Sequence, residues 1–190
     1  MMKRWIPVLA AAPFLVPATV VLAPRPFVRD VAHSQLNFIA GSQLLDAHGT
    51  FESCDAEIMF DAEKVEVSSV VITIDSKSIN TRVTQRDNHL KSNDFFATDS
   101  FPTITFRSAF INALAEDRIN STGDLTIRGR TKPITVPSRL VFFDAARNTG
   151  RVKGQTVIDR NDFGLSFQPS LNKISPEIQL QFDIAFKAKP

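Results

Sequence analysis

Hydrophobic and polar residues alternate along most of this chain with a period of two. The clearest run is Ile178, Leu180, Phe182, Ile184 and Phe186, which alternate with polar or small residues. Successive side chains of a β-strand point to opposite faces, so this pattern predicts a strand with one apolar face and one polar face. The same alternation recurs in seven other segments: Leu36–Ala40, Cys54–Phe60, Val70–Ile74, Ile104–Phe110, Ile119–Ile127, Ile134–Phe142 and Val152–Ile158.

Turn signals such as Arg128-Gly129-Arg130 separate these eight segments, which is typical of an antiparallel up-and-down sheet. Closing such a sheet buries its apolar face and removes both exposed edges. The sequence therefore predicts an all-β fold, an eight-stranded antiparallel β-barrel. A barrel of this size is either filled by its own side chains or holds one slim ligand.

The inward register places residues of very different size inside the predicted barrel. Strands five to seven contribute the small residues Ser121, Gly123, Ser138, Gly154 and Thr156, whereas strands one, four and eight contribute phenylalanines. Small residues opposite large ones are compatible with a well-packed core and also with a tunnel. The pattern alone leaves both interpretations open.

The one long break in the alternation runs from Asn80 to Phe101, between predicted strands three and four. Thr84 and Asp87 have the spacing of a capping box, which predicts a short helix that continues to about residue 90 or 91. A helix with so little apolar surface is not stable alone, so we expect it to lie across one mouth of the barrel.

This loop also contains the residues most suggestive of catalysis. His89 could act as a general acid or base with Asp87 or Asp94 as its partner. However, Asp87 is only two residues from His89 and therefore lies on a different helix face, and no nucleophile motif accompanies them. We interpret Arg86, Asp87 and His89 as a hydrogen-bonded cap at the rim of the barrel, because structural ion pairs often resemble active sites.

Residues 1–23 have the pattern of a signal peptide. Lys3 and Arg4 precede an almost wholly apolar stretch from Trp5 to Val21, and small residues follow. An uncleaved membrane anchor is the alternative, although three prolines disfavour a regular spanning helix. We expect residues 24–33 to form an extended arm and residues 34–190 to form the barrel domain.

Charge and cysteine content exclude several classes of function. The 22 basic residues fall to 20 without Lys3 and Arg4, which equals the 20 acidic residues, and no basic patch suited to nucleic acid is visible. The single cysteine, Cys54, excludes an internal disulfide and has an inward register, as expected of a small buried hydrophobic residue. The three histidines lack metal-ligand spacing, so we expect neither a metal nor a cofactor.

Four sequence motifs identify a resemblance to a known family. They are Arg86–Phe96 (RDNHLKSNDFF), Phe101–Phe106 (FPTITF), Gly123–Gly129 (GDLTIRG) followed by Thr131–Pro133, and Arg160–Leu165 (RNDFGL). In order and spacing, over residues 30 to 187, they resemble the YceI family of polyisoprenoid-binding, lipocalin-like periplasmic proteins.

The resemblance implies a lipocalin-like barrel whose apolar lumen holds a long isoprenoid or similar amphiphilic lipid, and it favours the tunnel over the filled core. It implies non-catalytic binding, transport or sequestration of that lipid in the periplasm. We expect lumen contacts from Phe38, Phe60, Ile72, Ile104, Phe106, Leu125, Phe182 and Ile184. We expect contacts with the head group from Arg86, Asp87 and His89.

Two other functions remain open from the sequence. One is an enzyme acting on a lipid, with His89 and Asp87 as its acid and base; the other is a structural stress-response barrel with a filled core. The lipid ligand is the partner that the resemblance implies, while a homodimer and a transient contact with a membrane are left open.

Overall fold

The computed structural model describes residues 23–115 and 117–189. Nearly all of the expected signal peptide therefore lies outside the described residues. Within those two ranges, no helix combines the length and apolar character needed to cross a membrane.

The described chain consists almost entirely of β-strands. The strands are β1 (Arg25–Arg29), β2 (Gln35–Ser42), β3 (Ala47–Phe51), β4 (Cys54–Phe60), β5 (Ser69–Asp75), β6 (Ile79–Asn80), β7 (Thr103–Ala113), β8 (Arg118–Ile127), β9 (Arg130–Asp144), β10 (Thr149–Asp159) and β11 (Ile174–Ala188). One α-helix, α1 (Thr84–Lys91), and four 3₁₀ turns (Val31–His33, Val65–Val67, Ser76–Ser78 and Arg160–Phe163) complete the fold.

Eight antiparallel strands close into a barrel, as the sequence predicts. The ring runs β1, β4, β5, β7, β8, β9, β10 and β11, and β11 pairs back onto β1. The closing register places Phe27 opposite Ala188. At one end the short strands β2, β3 and β6 continue the wall beyond β11. Helix α1 lies at this end, which we call the mouth, between β6 and β7 as predicted.

The segment expected to be an extended arm ahead of the barrel contains one of its strands. Residues 25–29 form β1, which pairs with both β4 and β11 and therefore closes the ring. Phe27 on this strand is buried. Pro24 precedes the strand and Pro26 lies within it, and its apolar residues Phe27 and Val28 are adjacent, so no alternation marks this strand in the sequence.

Two β-bulges change which residues face inward. The sequence pattern placed Phe110 and Phe142 on the inward face, but both side chains are exposed. The register shifts between Ser108 and Phe110 in β7, and again where β9 pairs with β10. An extra residue in a strand moves all following side chains to the other face, so Ile111 is buried instead of its neighbour Phe110.

Four phenylalanine rings fill the end of the barrel opposite the mouth. We call Phe27, Phe60, Phe143 and Phe186 the phenylalanine plug. Their ring centroids are 5.0–6.3 Å apart, mostly in edge-to-face arrangements. Aromatic pairs in this geometry add to the stabilisation from apolar burial. The plug therefore closes the barrel at this end.

Helix α1 has the predicted position and length, but the predicted capping box is wrong. The Thr84 side chain caps nothing, and Val83 occupies the N-cap position without a side-chain hydrogen bond. The Asp87 carboxylate instead accepts hydrogen bonds from the backbone N–H and the hydroxyl of Thr81, at 2.8 and 2.6 Å. Asp87 therefore anchors the segment before the helix.

Candidate functional site

Two adjoining chambers occupy the inside of the barrel. The outer chamber, at the mouth, has a volume of about 400 Å³. The inner chamber, between the outer chamber and the phenylalanine plug, has a volume of about 160 Å³. Leu36, Ile74, Leu125 and Leu180 line both chambers and form a waist between them. Together the chambers make an elongated lumen that is closed at one end.

All eight residues predicted to face the lumen line one or both chambers. Phe38, Ile104 and Leu125 line the outer chamber, and Phe60, Ile72, Phe106, Leu125, Phe182 and Ile184 line the inner chamber. The alternating pattern was sufficient to find them because they lie in regular stretches of strand, with Ile104 and Phe106 on the mouth side of the bulge in β7 and Phe182 and Ile184 beyond the irregular stretch of β11 between Ile174 and Ile178. Their contact with a lipid stays a prediction.

The lumen is open partly because three phenylalanine rings lie over glycines on the neighbouring strand. An added Cβ at Gly49 would lie 2.3 Å from Phe38 Cζ. An added Cβ at Gly154 would lie 2.4 Å from Phe182 Cζ, and one at Gly150 would lie 2.3 Å from Phe186 Cζ. A glycine leaves room for an aromatic ring to cover the neighbouring backbone instead of projecting across the barrel. Large inward residues are therefore compatible with a tunnel here.

The inner chamber offers only apolar surface and a few hydroxyl groups. Its polar lining residues are serines and threonines, and the hydroxyls of Ser138 and Thr156 donate to the backbone carbonyls of Val136 and Thr135, each at 3.2 Å. None of the described residues that line it carries a charge. A buried ligand group without hydrogen-bonding partners is costly unless it is apolar, so this chamber suits hydrocarbon.

His89 forms part of the wall of the mouth. Its ring lies edge-on to Phe95 and Phe167, with centroid distances of 5.1 and 4.9 Å. Its Nε2 atom is 2.9 Å from Asp94 Oδ2. The side chain remains 44% exposed, so one face of the ring packs while its edge reaches solvent. His89 therefore connects helix α1 with the loop that follows the 3₁₀ turn Arg160–Phe163.

Arg86 and Asp87 have separate roles at the mouth. Arg86 lines the outer chamber and donates hydrogen bonds to the hydroxyl and the carbonyl of Thr81, at 2.7 and 3.0 Å. Asp87 does not line either chamber, since its carboxylate is directed at Thr81. The prediction that Asp87 belongs to the head-group site is not supported by its position. Of the two partners that the sequence offered for His89 in an acid–base mechanism, Asp94 is bonded to the imidazole and Asp87 is not.

A buried arginine in the outer chamber was not among the predicted site residues. Arg160 is 2% exposed and donates to the carbonyls of Ser175 at 3.0 Å, Phe167 at 3.1 Å, and Leu165. Burial lowers the pKa of Arg160, and the nearby Asp159 carboxylate acts in the opposite direction. A guanidinium stays protonated in proteins, so the positive charge is retained.

The sequence contained a signal for Arg160. Ile158 faces the lumen, and a period of two places Arg160 inward as the next residue of that face. A charged residue in an inward register is unusual, since arginine is rarely fully buried without partners. These carbonyls and that of Ile174, at 3.4 Å, all come from the loop and strand that follow, and they explain how the guanidinium is accommodated.

Arg128 joins three of the four sequence motifs at the mouth. Its guanidinium donates to the carbonyl of Asn93 at 2.8 Å and to that of Gly164 at 2.9 Å. Arg128 itself has a positive φ of 50° at the tight turn between β8 and β9. The motifs that carry the family resemblance therefore meet in one place, around the opening of the outer chamber.

The charged side chains that line the outer chamber are positive. Arg86 and Arg160 line it beside the imidazole of His89, and no carboxylate does among the residues that the structure describes. Its neutral polar lining residues are Asn37, Ser42 and Asn172. Such a lining favours a ligand group that accepts hydrogen bonds or carries negative charge.

Cys54 is buried in the core, as its inward register predicted. Burial raises the pKa of its thiol. A buried thiol with a raised pKa holds little of the nucleophilic thiolate form, so Cys54 acts as a small core residue.

Comparison with known proteins identifies the family. The model of the YceI-like domain matches residues 27–186, which is most of the chain. The chain belongs to the YceI family. A UPF0312 protein of Azotobacter vinelandii is 29% identical to it over 185 residues, which are 95% of each chain.

Solved structures of two other bacterial proteins share the fold. BcnA of Burkholderia cenocepacia superimposes with a TM-score of 0.77 at 24% identity, covering 83% of this chain and 98% of BcnA. A domain of Saccharophagus degradans, described as polyisoprenoid binding and implicated in plant cell wall breakdown, gives a TM-score of 0.70 at 19% identity. That match covers 86% of this chain and 98% of the domain. At these identities the likeness shows the common barrel.

Proposed function

We propose that this YceI-family protein binds a long-chain isoprenoid or similar amphiphilic lipid without altering it chemically. The observation that carries this proposal is the elongated lumen, which is apolar at its closed end and lined by cationic groups at its mouth. The polyisoprenoid-binding description of the Saccharophagus degradans domain, which has the same fold, supports the choice of ligand class.

The two chambers suggest how the lipid is oriented. The hydrocarbon tail occupies the inner chamber and passes the waist, because only apolar contacts are offered there. The head group stays in the outer chamber near Arg86, His89 and Arg160. A head group that accepts hydrogen bonds, such as a hydroxyl, carbonyl or phosphate, suits these donors better than an amine does.

Burial of the tail supplies most of the binding free energy. Each methylene removed from water contributes about 0.8 kcal/mol, so ten contribute about 8 kcal/mol before ordering costs. One hydrogen bond to the head group adds only about 1 kcal/mol. Affinity should therefore follow tail length until the lumen is filled, while the polar mouth determines orientation.

The protein acts as a carrier or sequestering protein outside the cytoplasm. The basic and apolar residues of the signal-peptide pattern in residues 1–23 support export to the periplasm. Binding of a lipid in this lumen requires neither a metal nor a cofactor. Among the described residues, no charged one lines the inner chamber and Asp87 lines neither chamber, which favours binding over catalysis by His89 and Asp87.

A displacement assay with ligands of graded length tests the proposal. The protein is freed of lipid by organic extraction and refolding, loaded with a fluorescent fatty-acid probe, and titrated with prenyl alcohols of increasing length. We expect affinity to rise with each added isoprene unit and then to level off once the lumen is full. No displacement at any length would contradict lipid binding.

The same material separates a carrier from an enzyme. Each titrated lipid is re-extracted after incubation and analysed by mass spectrometry. A carrier returns the lipid unchanged. Recovery of a hydrolysed or isomerised product, lost in a His89→Ala variant, would support the lipid-acting enzyme instead.

A further inference from the structure

The three most exposed large hydrophobic residues of the described chain lie together at the mouth. Leu171 is 89% exposed, Leu44 is 75% exposed and Leu45 is 73% exposed. Leu44 and Leu45 lie between β2 and β3, and Leu171 lies in the loop that precedes β11. Single exposed hydrophobic residues are ordinary on protein surfaces, but a cluster beside a cavity marks an interaction site.

Hydrogen bonds hold the two loops together. The Leu44 N–H donates to Asn172 Oδ1 at 3.1 Å, and the Gln43 N–H donates to the carbonyl of Lys173 at 3.2 Å. The two loops therefore present their leucines side by side, as one surface that we call the leucine rim (Leu44, Leu45 and Leu171).

The leucine rim is continuous with the outer chamber. Leu45 lines this chamber although most of its side chain faces solvent. Asn172, which binds the Leu44 N–H, also lines it. Whatever covers the leucine rim is therefore in contact with the opening through which a ligand reaches the lumen.

The size and charge of the leucine rim indicate the nature of its partner. A stable protein interface uses about 20 to 30 residues on each side, whereas a few apolar side chains suffice for shallow insertion into a bilayer. Asp46 and Lys173 flank the leucines with opposite charges, so the local charge gives no preference for an anionic surface.

We propose that Leu44, Leu45 and Leu171 insert into the surface of a lipid bilayer and hold the mouth of the barrel against it. The tail of a membrane lipid then passes between the bilayer and the outer chamber without crossing water. Only this second step rests on the proposed lipid-binding function, since docking itself depends on the exposed leucines alone.

Flotation with neutral phosphatidylcholine vesicles tests the docking. We expect the wild-type protein to float with the vesicles, and a Leu44→Asp, Leu171→Asp double variant to partition at least about tenfold less, because a charged side chain opposes insertion. Leu45 is left unchanged since it also lines the chamber. Raising the salt concentration should have little effect, as the contact is apolar.

A charge-matched control lies at the opposite end of the barrel. Val67 and Leu114 are also exposed, in the β4–β5 and β7–β8 connections. A Val67→Asp, Leu114→Asp double variant should float as the wild type does. Equal flotation of both double variants and the wild type, or no flotation of the wild type, would overturn the proposal.

Two further measurements identify the remaining outcomes. Size-exclusion chromatography that showed a wild-type dimer dissociated by the Leu44 and Leu171 changes would assign the leucine rim to a second copy of the chain, and would also overturn membrane docking. Probe binding in the lumen is measured on the same samples. A protein that floats but binds no probe would contradict the lipid-binding function while leaving the docking intact.

Discussion

The ring of Phe182 occupies the space over Gly154 on the neighbouring strand, so a Cβ at position 154 would lie 2.4 Å from the ring and 2.6 Å from the backbone oxygen of Pro137. The ring therefore covers the barrel wall and leaves the inner chamber free. Because backbone cannot move aside as a side chain can, a large residue at position 154 would distort the sheet. Other positions are better suited to testing the lumen.

Gly49→Ala should narrow the outer chamber. The three atoms nearest to an added Cβ at Gly49 all belong to the Phe38 ring, at 2.3, 2.5 and 3.0 Å. The ring is expected to turn away from the wall into the chamber, which it lines, and to lower affinity for long-chain ligands several-fold. Titration with the fluorescent probe measures this effect.

Gly41→Ala is the matched control for this change. Its added Cβ would lie 3.6 Å from Ser175 Cβ and 3.7 Å from Asp46 Oδ1, which are ordinary contacts. Its affinity should equal that of the wild type. Equal affinities for the Gly49 and Gly41 variants would show that the position of the Phe38 ring does not govern the open volume.

Arg160→Leu should destabilise the barrel. The change leaves the carbonyls of Leu165, Phe167 and Ser175 without their donor. A buried acceptor left unpaired costs about 1–3 kcal/mol, and of these bonds the one to Leu165 is buried while the others are partly buried, so we expect a loss of about 2–3 kcal/mol in the free energy of unfolding. Urea denaturation measures it. Arg160→Lys keeps the charge but has fewer donors, so its stability should lie between that of the wild type and that of Arg160→Leu. An unchanged urea midpoint for Arg160→Leu would refute the structural role of Arg160.

His89→Ala should weaken ligand binding only modestly. The imidazole packs between Phe95 and Phe167 and is the only bond partner of Asp94 Oδ2 among the described residues, so its removal loosens the mouth without emptying the lumen. The loss of one hydrogen bond, about 1 kcal/mol, corresponds to a roughly fivefold larger dissociation constant. Isothermal titration with a prenyl alcohol checks this value. Either an unchanged affinity or a complete loss of binding would contradict the position assigned to His89.

Asp183→Asn should destabilise the protein at neutral pH but not in acid. Asp183 on the outer wall accepts two hydrogen bonds from Arg151, both at 2.7 Å, and lies 3.0 Å from Lys153. The hydrogen bonds from Arg151, followed by those from Lys153, lower the pKa of Asp183 against the effect of burial. A carboxyl whose pKa is lowered by folding stabilises the fold at pH values above its unfolded pKa, about 4.

This contribution disappears as the pH falls through the lowered pKa of the folded form. The urea midpoints of wild type and Asp183→Asn should therefore differ at pH 7 and converge at the acid end of a pH series. A difference that persisted unchanged to the acid end of the series would show that the two proteins differ for another reason.

The sequence was sufficient to predict the barrel and much of its lumen. A period of two identifies inward residues such as Phe38 and Ile184 wherever the strand is regular. It failed beyond the bulge in β7, where Phe110 is exposed and Ile111 is buried, because a single extra residue inverts the pattern without changing composition. Strand β1 was missed because its residues, RPFVR, place the apolar Phe27 and Val28 next to each other between arginines and show no alternation.

The polar part of the site was harder to predict for a different reason. The sequence offered Asp87 and Asp94 as partners of His89, and Asp94 is bonded to it. The bond between Asp87 and Thr81 was not predicted, because it is set by loop geometry that no periodicity encodes. Arg160 was not among the predicted site residues, although its inward register was visible from Ile158. Its carbonyl partners come from a loop whose path only the folded chain defines.

Native mass spectrometry of the purified protein tests the open lumen most directly. Ser138 lines the inner chamber and is half-buried, so Ser138→Phe should fill the space that a tail needs, whereas Val157→Phe on the exposed outer face of β10 should not. We expect wild type and Val157→Phe to carry an intact lipid that organic extraction releases, and Ser138→Phe, folded by circular dichroism, to carry none. A wild-type mass equal to that of the bare chain after lipid loading, or the same lipid retained by Ser138→Phe, would contradict a hydrocarbon-binding lumen.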